Sequence, residues 1–392
     1  MKNKFVWLTL VLLVSSALLN AQEANRKITT ALPFLQVAAD ARAGGLGDQG
    51  VATSPDAFSQ QWNASKYAFA QKEIGVALNV TPYLTRLVND IILANLVGYK
   101  RLNERSAVSA SFRYFSLGEI EFRESATSEA NIQKPNELSL DVAYSLRLSD
   151  RFSMAVAGRY LRSDLRLQTS NLSGDSNAGN GFGVDITGYY QSEEIPYRNF
   201  DGRWRGGFAI TNIGPKLKYS ADQESFIPTN LRLGGGFDFG IDQYNKVSVT
   251  AEVSKLLVPT PPVFDTDGSG QIDDGDEIRT FDEFVKSKSA IGSIFSSFND
   301  APDGFSEELQ EFTVSLSAEY NYNDVFALRA GYFNEHESKG ARKFFTLGAG
   351  FKYTSIGIDM SYLFSTSNTP SPLDGTLRFG LTFLFGQDYR EF

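Results

Sequence analysis

The sequence predicts an all-β protein: a 14-stranded antiparallel transmembrane β-barrel with an N-terminal plug segment and long extracellular loops. Three observations carry this expectation. About fourteen segments of roughly ten residues alternate apolar and polar side chains, the length at which a tilted strand crosses a bilayer. The connections between them alternate short and long, as they do when turns occupy one rim of a barrel and loops the other. Beyond residue 21 no apolar stretch is long enough for a spanning helix.

Composition narrows the classes further. Of 392 residues, 42% are hydrophobic, 13% aromatic and only 21% charged, with 34 glycines, a balance unusual for a soluble domain. The 37 basic and 46 acidic residues give a formal charge of −9. No cationic surplus exists to neutralise phosphates, so nucleic acid is excluded as a partner. The absence of cysteine removes disulfides, thiolate metal sites and cysteine nucleophiles, and one histidine rules out an imidazole-rich metal centre.

From the N-terminus, Met1 to Lys4 carry positive charge, Phe5 to Leu19 form an apolar run, and Asn20-Ala21-Gln22 offers a cut after a small residue. Residues 1–21 therefore read as a secretory signal peptide. The run is short for a membrane anchor and lacks a basic stop-transfer flank. Export leaves either a soluble protein or an outer-membrane barrel.

Residues 22–71 follow, too polar and irregular for a barrel wall. They have the length of a plug folded into the lumen; the alternative is a periplasmic tail. The barrel itself then runs from 72 to 392. Its strands are expected near 72–80, 91–101, 106–117, 137–148, 151–163, 180–190, 203–212, 229–239, 245–254, 310–321, 325–333, 341–353, 355–364 and 376–386. The pattern is clearest from Glu137 to Leu148. There Leu138, Leu140, Val142, Tyr144, Leu146 and Leu148 alternate with Glu137, Ser139, Asp141, Ala143, Ser145 and Arg147.

Alternation alone does not distinguish a membrane barrel from a soluble one, but loop length does. Connections such as Leu102 to Arg105, Ser149-Asp150 and Tyr322 to Asp324 are short, while Gly118 to Asn136 and Lys255 to Leu309 are long. An even strand number then places both termini in the periplasm of an outer-membrane, multi-pass barrel. The sixth connection, Gln191 to Gly202, is longer than this rule requires, and nothing in its residues explains why. Tyr114, Tyr160, Tyr189, Tyr190, Trp204, Tyr320 and Tyr362 near strand ends would form interfacial girdles against outer-membrane lipid. Ordinary β-propensity also places tyrosine in strands. The expected lumen set includes Arg113, Asp141, Arg159, Arg232, Glu252, Glu319, Arg329 and Arg378, charges that pair with Asp40 and Arg42 of the plug or line water.

The stretch Leu32-Pro33-Phe34-Leu35, then Ala38-Ala39-Asp40-Ala41-Arg42-Ala43-Gly44-Gly45-Leu46-Gly47, then Val51 to Ser65, precedes the fourteen strands. In this order the mature chain resembles the FadL-like outer-membrane transporters and, within them, the PorV family of the type IX secretion system. The resemblance implies a non-enzymatic role: binding the C-terminal signal domain of secreted cargo, docking against the SprA/Sov translocon barrel and delivery to the PorU sortase complex. It carries over no individual contact residue. The competing readings are a FadL-like transporter of a hydrophobic small molecule and an outer-membrane hydrolase. The hydrolase is the weaker, because His336, between Glu335 and Glu337, has no Gly-x-Ser-x-Gly nucleophile motif to serve.

Within 255–309, Asp265, Asp267, Ser269, Gln271, Asp273 and Asp276 place oxygen donors at EF-hand spacing, with Gly270 at the sharp turn. Asp276 stands where the bidentate glutamate is usual, and Glu277 follows one residue late. The expected ligand is a structural, extracellular Ca2+; the alternative is a solvated acidic loop. Thr280-Phe281-Asp282-Glu283 then reads as a capping box opening one helix. Its apolar side would carry Phe281, Phe284, Ile291, Phe295 and Phe298, a partner-binding face unless it folds onto the rim.

Replacing Asp265 and Asp267 by alanine is expected to abolish calcium-dependent protection of the 255–309 loop in limited proteolysis while the barrel stays folded. A wild-type protein that binds no calcium at millimolar concentration would reduce the motif to an acidic loop.

Overall fold

Strands with one apolar and one polar face must bury the polar face somewhere, and here they curl until the last meets the first. In this computed structural model residues 27–123, 131–165, 177–220, 223–261, 283–367 and 371–389 are described. The signal-peptide region, the calcium-type motif at 265–276 and Phe281 lie outside the described residues. The wall strands are Lys72–Pro82 (β1), Ile92–Arg101 (β2), Ser106–Ser116 (β3), Asn136–Ser149 (β4), Phe152–Asp164 (β5), Gly179–Gln191 (β6) and Asp201–Ile213 (β7). They continue as Asn230–Gly240 (β8), Asn245–Leu256 (β9), Phe312–Tyr322 (β10), Phe326–Asn334 (β11), Lys343–Tyr353 (β12), Ile356–Ser365 (β13) and Leu377–Asp388 (β14). Each expected strand limit lies within two residues of the observed one. Every strand pairs antiparallel with its neighbours in sequence. The seam closes where β1 meets β14, with Val76 opposite Phe383 and Leu78 opposite Leu381. Closure leaves no unpaired edge, as a bilayer requires.

The two faces sort inside out. Leu140 and Leu316 are 48% and 52% exposed, while Ser139 is fully buried and Ser315 nearly so. An exterior of leucine, valine and phenylalanine around a polar, buried interior is the arrangement of a barrel that sits in lipid. The aromatic expectation fails at one place. Tyr189 points inward against Phe69, at 5.7 Å between rings, whereas Tyr190 points out. Successive strand residues take opposite faces, so only one of this adjacent pair can reach the interface.

Residues 27–71 lie against the inward face of the wall. They form short helices at Ala41–Gly45 (α1) and Ser59–Trp62 (α2) with irregular chain between. Asp40 caps α1, its carboxylate accepting from Ala43 N at 2.7 Å and from Trp62 Nε1 at 2.7 Å. The wall completes the rest. Glu252 accepts the backbone amides of Gly50 and Val51, each at 2.9 Å, and Arg232 holds that carboxylate at 3.1 Å. Arg113 donates to the carbonyls of Phe34 and Val37, Arg205 to that of Ala52, and Arg378 to that of Ala38. Arg42 forks onto Glu319 with two 3.0 Å bonds and reaches Asp56 at 2.6 Å. Of the two plug charges expected to meet the wall, Arg42 does so; Asp40 is used within the plug.

The plug lies so close to the wall that side chains must be absent at some contacts. A Cβ on Gly207 would stand 2.1 Å from the Val51 carbonyl oxygen. At Gly207 the missing side chain is what permits this close approach.

Leu140→Arg is expected to cost about 2–4 kcal/mol in barrel stability if the position sits near the bilayer midplane, measured by urea titration in vesicles. A charge at Ser139 or Ser315 would meet open water in an empty lumen, but both positions are packed. Ser315 Oγ donates to the Gly47 carbonyl at 2.9 Å. Ser315→Arg is therefore expected to dislodge the plug, read as faster proteolysis of 27–71 with heat-modifiable gel migration retained.

Candidate docking surface on the long-loop rim

The longest connection, 257–311, leaves β9 through Leu257 and Val258, both buried, and Pro259 and Pro261 stiffen its exit. Residues 283–287 are helical and fold down onto the rim. Val285 is buried with Phe226 and Val258, and Phe284 packs against the same cluster with Ile28. The single helix expected from the capping box does not continue. Ser287-Lys288-Ser289 interrupts it, and Ser289 Oγ accepts from Gly292 N to cap a new helix, Ala290–Ser296 (α3). Phe284 thus belongs to the anchored side, a correction to the expected presentation of one continuous face. Ile291 and Phe295 stand out, 66% and 76% exposed, and Phe298 is exposed beside them. A third helix, Phe305–Gln310 (α4), adds exposed Phe305 and Leu309. These two escaped the sequence reading because the intervening Ser306-Glu307-Glu308 looks solvated; their spacing of four residues was the available signal.

What holds this greasy surface is ionic. Lys255, at the end of β9, pairs with Glu308 at 3.1 Å and with Glu311. Lys339, from the 335–342 loop, pairs with Glu307 at 2.6 Å and Glu311 at 3.0 Å. All five groups are buried. Glu308 also accepts from the backbone of Asp300 at 2.7 Å and Ala301 at 2.9 Å, and Thr260 Oγ1 reaches Glu311. Removing one partner of such a buried pair costs about 3–5 kcal/mol, because the other charge is left stranded. Neither lysine was singled out from sequence.

Near this clamp, burial pushes the Asp300 carboxyl up to about 6, opposed by the nearby Thr260 backbone and by Lys255 and reinforced by Glu311 and Glu308.

Below the loops a cavity of about 590 Å3 descends to Asp48 and Arg232 at the plug, lined by the charged Lys339, Glu335 and Arg342 and by the apolar Val37, Leu256 and Phe333. The apolar space beside it is already filled by the chain's own Phe34 and Leu35 against Leu93, Phe115, Leu161 and Ile227. His336 Nδ1 lies 2.8 Å from Ser338 Oγ in the 335–342 loop, a turn contact with neighbouring residues.

Residues 20–263 match the family model described as "Type IX secretion system protein PorV". The chain belongs to the PorV family. It is an outer-membrane β-barrel protein of that secretion system, a family generally without enzymatic activity. The PorV match spans the plug and β1 to β9 and ends before α3. No curated protein matches the chain. Among solved structures it is similar to the CymD monoaromatic hydrocarbon channel, at 11% identity over 91% of this chain and 99% of that one, TM-score 0.48. It is also similar to the toluene transporter TodX of Pseudomonas putida, at 9% identity, 92% and 98% coverage and TM-score 0.48. A FadL homologue of Pseudomonas aeruginosa gives 11% identity, 93% and 100% coverage and TM-score 0.45.

A carboxyl raised above its ordinary value destabilises the docked loop while ionised and stops doing so as pH falls through about 6. Loop docking is therefore expected to tighten between pH 7 and pH 5, read as slower hydrogen exchange of amides 300–311 after correction for intrinsic rates. Asp300→Asn should give the tighter state already at pH 7 and lose the pH response. An unchanged response in that variant would assign it to other groups.

Proposed function

We propose that this PorV-family protein binds the C-terminal signal domain of secreted cargo at the SprA/Sov translocon and delivers it to the PorU sortase complex. In this reading the long-loop rim is extracellular and both termini are periplasmic, as short turns on one rim and long loops on the other imply. The supporting observation is the anchored apolar surface of Ile291, Phe295, Phe298, Phe305 and Leu309. A soluble exterior has no use for four large apolar side chains on two short helices and a fifth, Phe298, just beyond the first, whereas a protein partner does. The lysine clamp orders that surface in advance, which limits the entropy lost on association. Calcium held by Asp265, Asp267, Ser269, Gln271, Asp273 and Asp276 would fix the turn leading into it.

Uptake of a hydrophobic small molecule is the alternative function. The plugged lumen and self-filled apolar cluster disfavour it.

Ile291→Asp and Phe295→Asp are each expected to remove about 2 kcal/mol or more of partner affinity if these side chains are hot spots. Translocon co-purification and secretion of proteins bearing the C-terminal signal should fall, with barrel assembly intact. Phe284→Asp should instead loosen the loop itself. Normal co-purification after excision of residues 264–300 would move the docking surface to other loops. Loss of growth on hydrophobic substrates with secretion intact would favour uptake.

A further inference from the structure

The connection 192–200, on the short-turn rim, is longer than a turn needs, and the fold shows where the extra residues go. Ile195 and Pro196 pair with Gly202 and Asp201, taking the edge of β7 that β6 leaves open before Arg205. The tip closes with Tyr197 N donating to the Phe200 carbonyl at 2.8 Å. The segment then lies back over the outside of the barrel. Tyr197 and Phe200 stack at 4.8 Å, Phe200 meets Phe239 at 5.4 Å, and Tyr197 meets Phe237 at 6.2 Å. Trp204 packs on Phe237 at 4.6 Å. The rings lie directly on backbone at Gly202, where a Cβ would stand 2.4 Å from Phe237 and 2.5 Å from Tyr197.

This cluster continues the lipid-facing surface, since Phe237 and Phe239 share the outward face of β8 with exposed Leu233. Its outer side is still open: Trp204 is 54% exposed, and Ile195 and Tyr197 are exposed with it. Around it the charges are mostly matched, Arg151 with Glu193 at 2.7 Å and Arg203 with Glu194 at 3.3 Å. Arg198, between the two ring-bearing residues, is exposed and has no ion-pair partner among the described residues. Indole and phenol rings with a free guanidinium are the chemistry of the boundary between acyl chains and phosphates.

We propose that residues 192–200 with Trp204 form an interfacial lipid clamp. In it the rings enter the acyl boundary of the leaflet on the short-turn side, and Arg198 binds a phospholipid headgroup phosphate. This surface is separate from the long-loop docking surface and does not depend on the secretion role.

The chain contains three tryptophans, at positions 7, 62 and 204. Removal of the leader leaves Trp62, buried in the plug, and Trp204. The test places Tyr197→Trp in a Trp204→Phe background, reconstituted as the full mature protein in phosphatidylethanolamine vesicles with acyl chains brominated near the headgroup or near the methyl end. The residue-197 emission is expected to be quenched more by the shallow bromines than by the deep ones, and to be shielded from aqueous iodide. Arg198→Glu should reduce the shallow quenching. Free access of iodide with no bromine quenching would overturn the clamp. So would iodide shielding that appears only when secretion partners are added, which would make the occupant a protein. Independently of that variant, unsubstituted protein should show slower hydrogen exchange at amides 193–200 in phospholipid nanodiscs than in amphipol; equal rates would also overturn it.

Discussion

Irregular backbone at membrane depth must have its polar groups satisfied by something other than lipid, and this constraint shapes the barrel from within. The plug has little secondary structure of its own, so its amides and carbonyls are met by wall side chains. Glu252 takes two successive amides, while Arg113, Arg205 and Arg378 donate to carbonyls of the plug. Burying so many ions is costly unless each is paired and hydrogen-bonded. The chain Asp56, Arg42, Glu319, Arg329, Asp359 meets that condition link by link. The polar face of each strand is therefore the half of a protein core that receives the plug.

The same solution recurs on the long-loop rim at smaller scale. A loop carrying exposed phenylalanines would collapse its apolar side chains onto the nearest greasy surface if nothing restrained it. Val285 and Phe284 do fold onto the rim. α3 and α4 stay out, with α4 tied by its own glutamates to Lys255 and Lys339. Two lysines from different parts of the rim grip one short helix, so apolar surface can remain exposed without being free to rearrange.

The strands were legible because their signal is local: the dyad from Glu137 to Leu148 needs no knowledge of the rest of the chain. Turn and loop lengths were legible for the same reason. The plug's path was not, because its hydrogen bonds join residues such as Gly50 and Glu252, about two hundred positions apart. The break after residue 287 was missed because apolar spacing from Phe281 to Phe298 runs on through it, while Ser289 caps from inside the run. Tyr189 was misplaced because it was judged by residue type when its neighbour Tyr190 already occupied the outward face. The long sixth connection had no account in sequence because its purpose is contact with β8, a strand further along.

The seam of the barrel has one more property. Gln71, the last residue of the plug, accepts a hydrogen bond from the Tyr389 amide at 2.8 Å, Lys72 pairs with Asp388 at 2.6 Å, and Arg101 lies 3.9 Å from the Tyr389 ring. The neck of the plug and the tail of the chain are thus fastened at one spot, which is also where the wall closes. Loosening that one spot would therefore release the neck of the plug and the closing strand of the wall together.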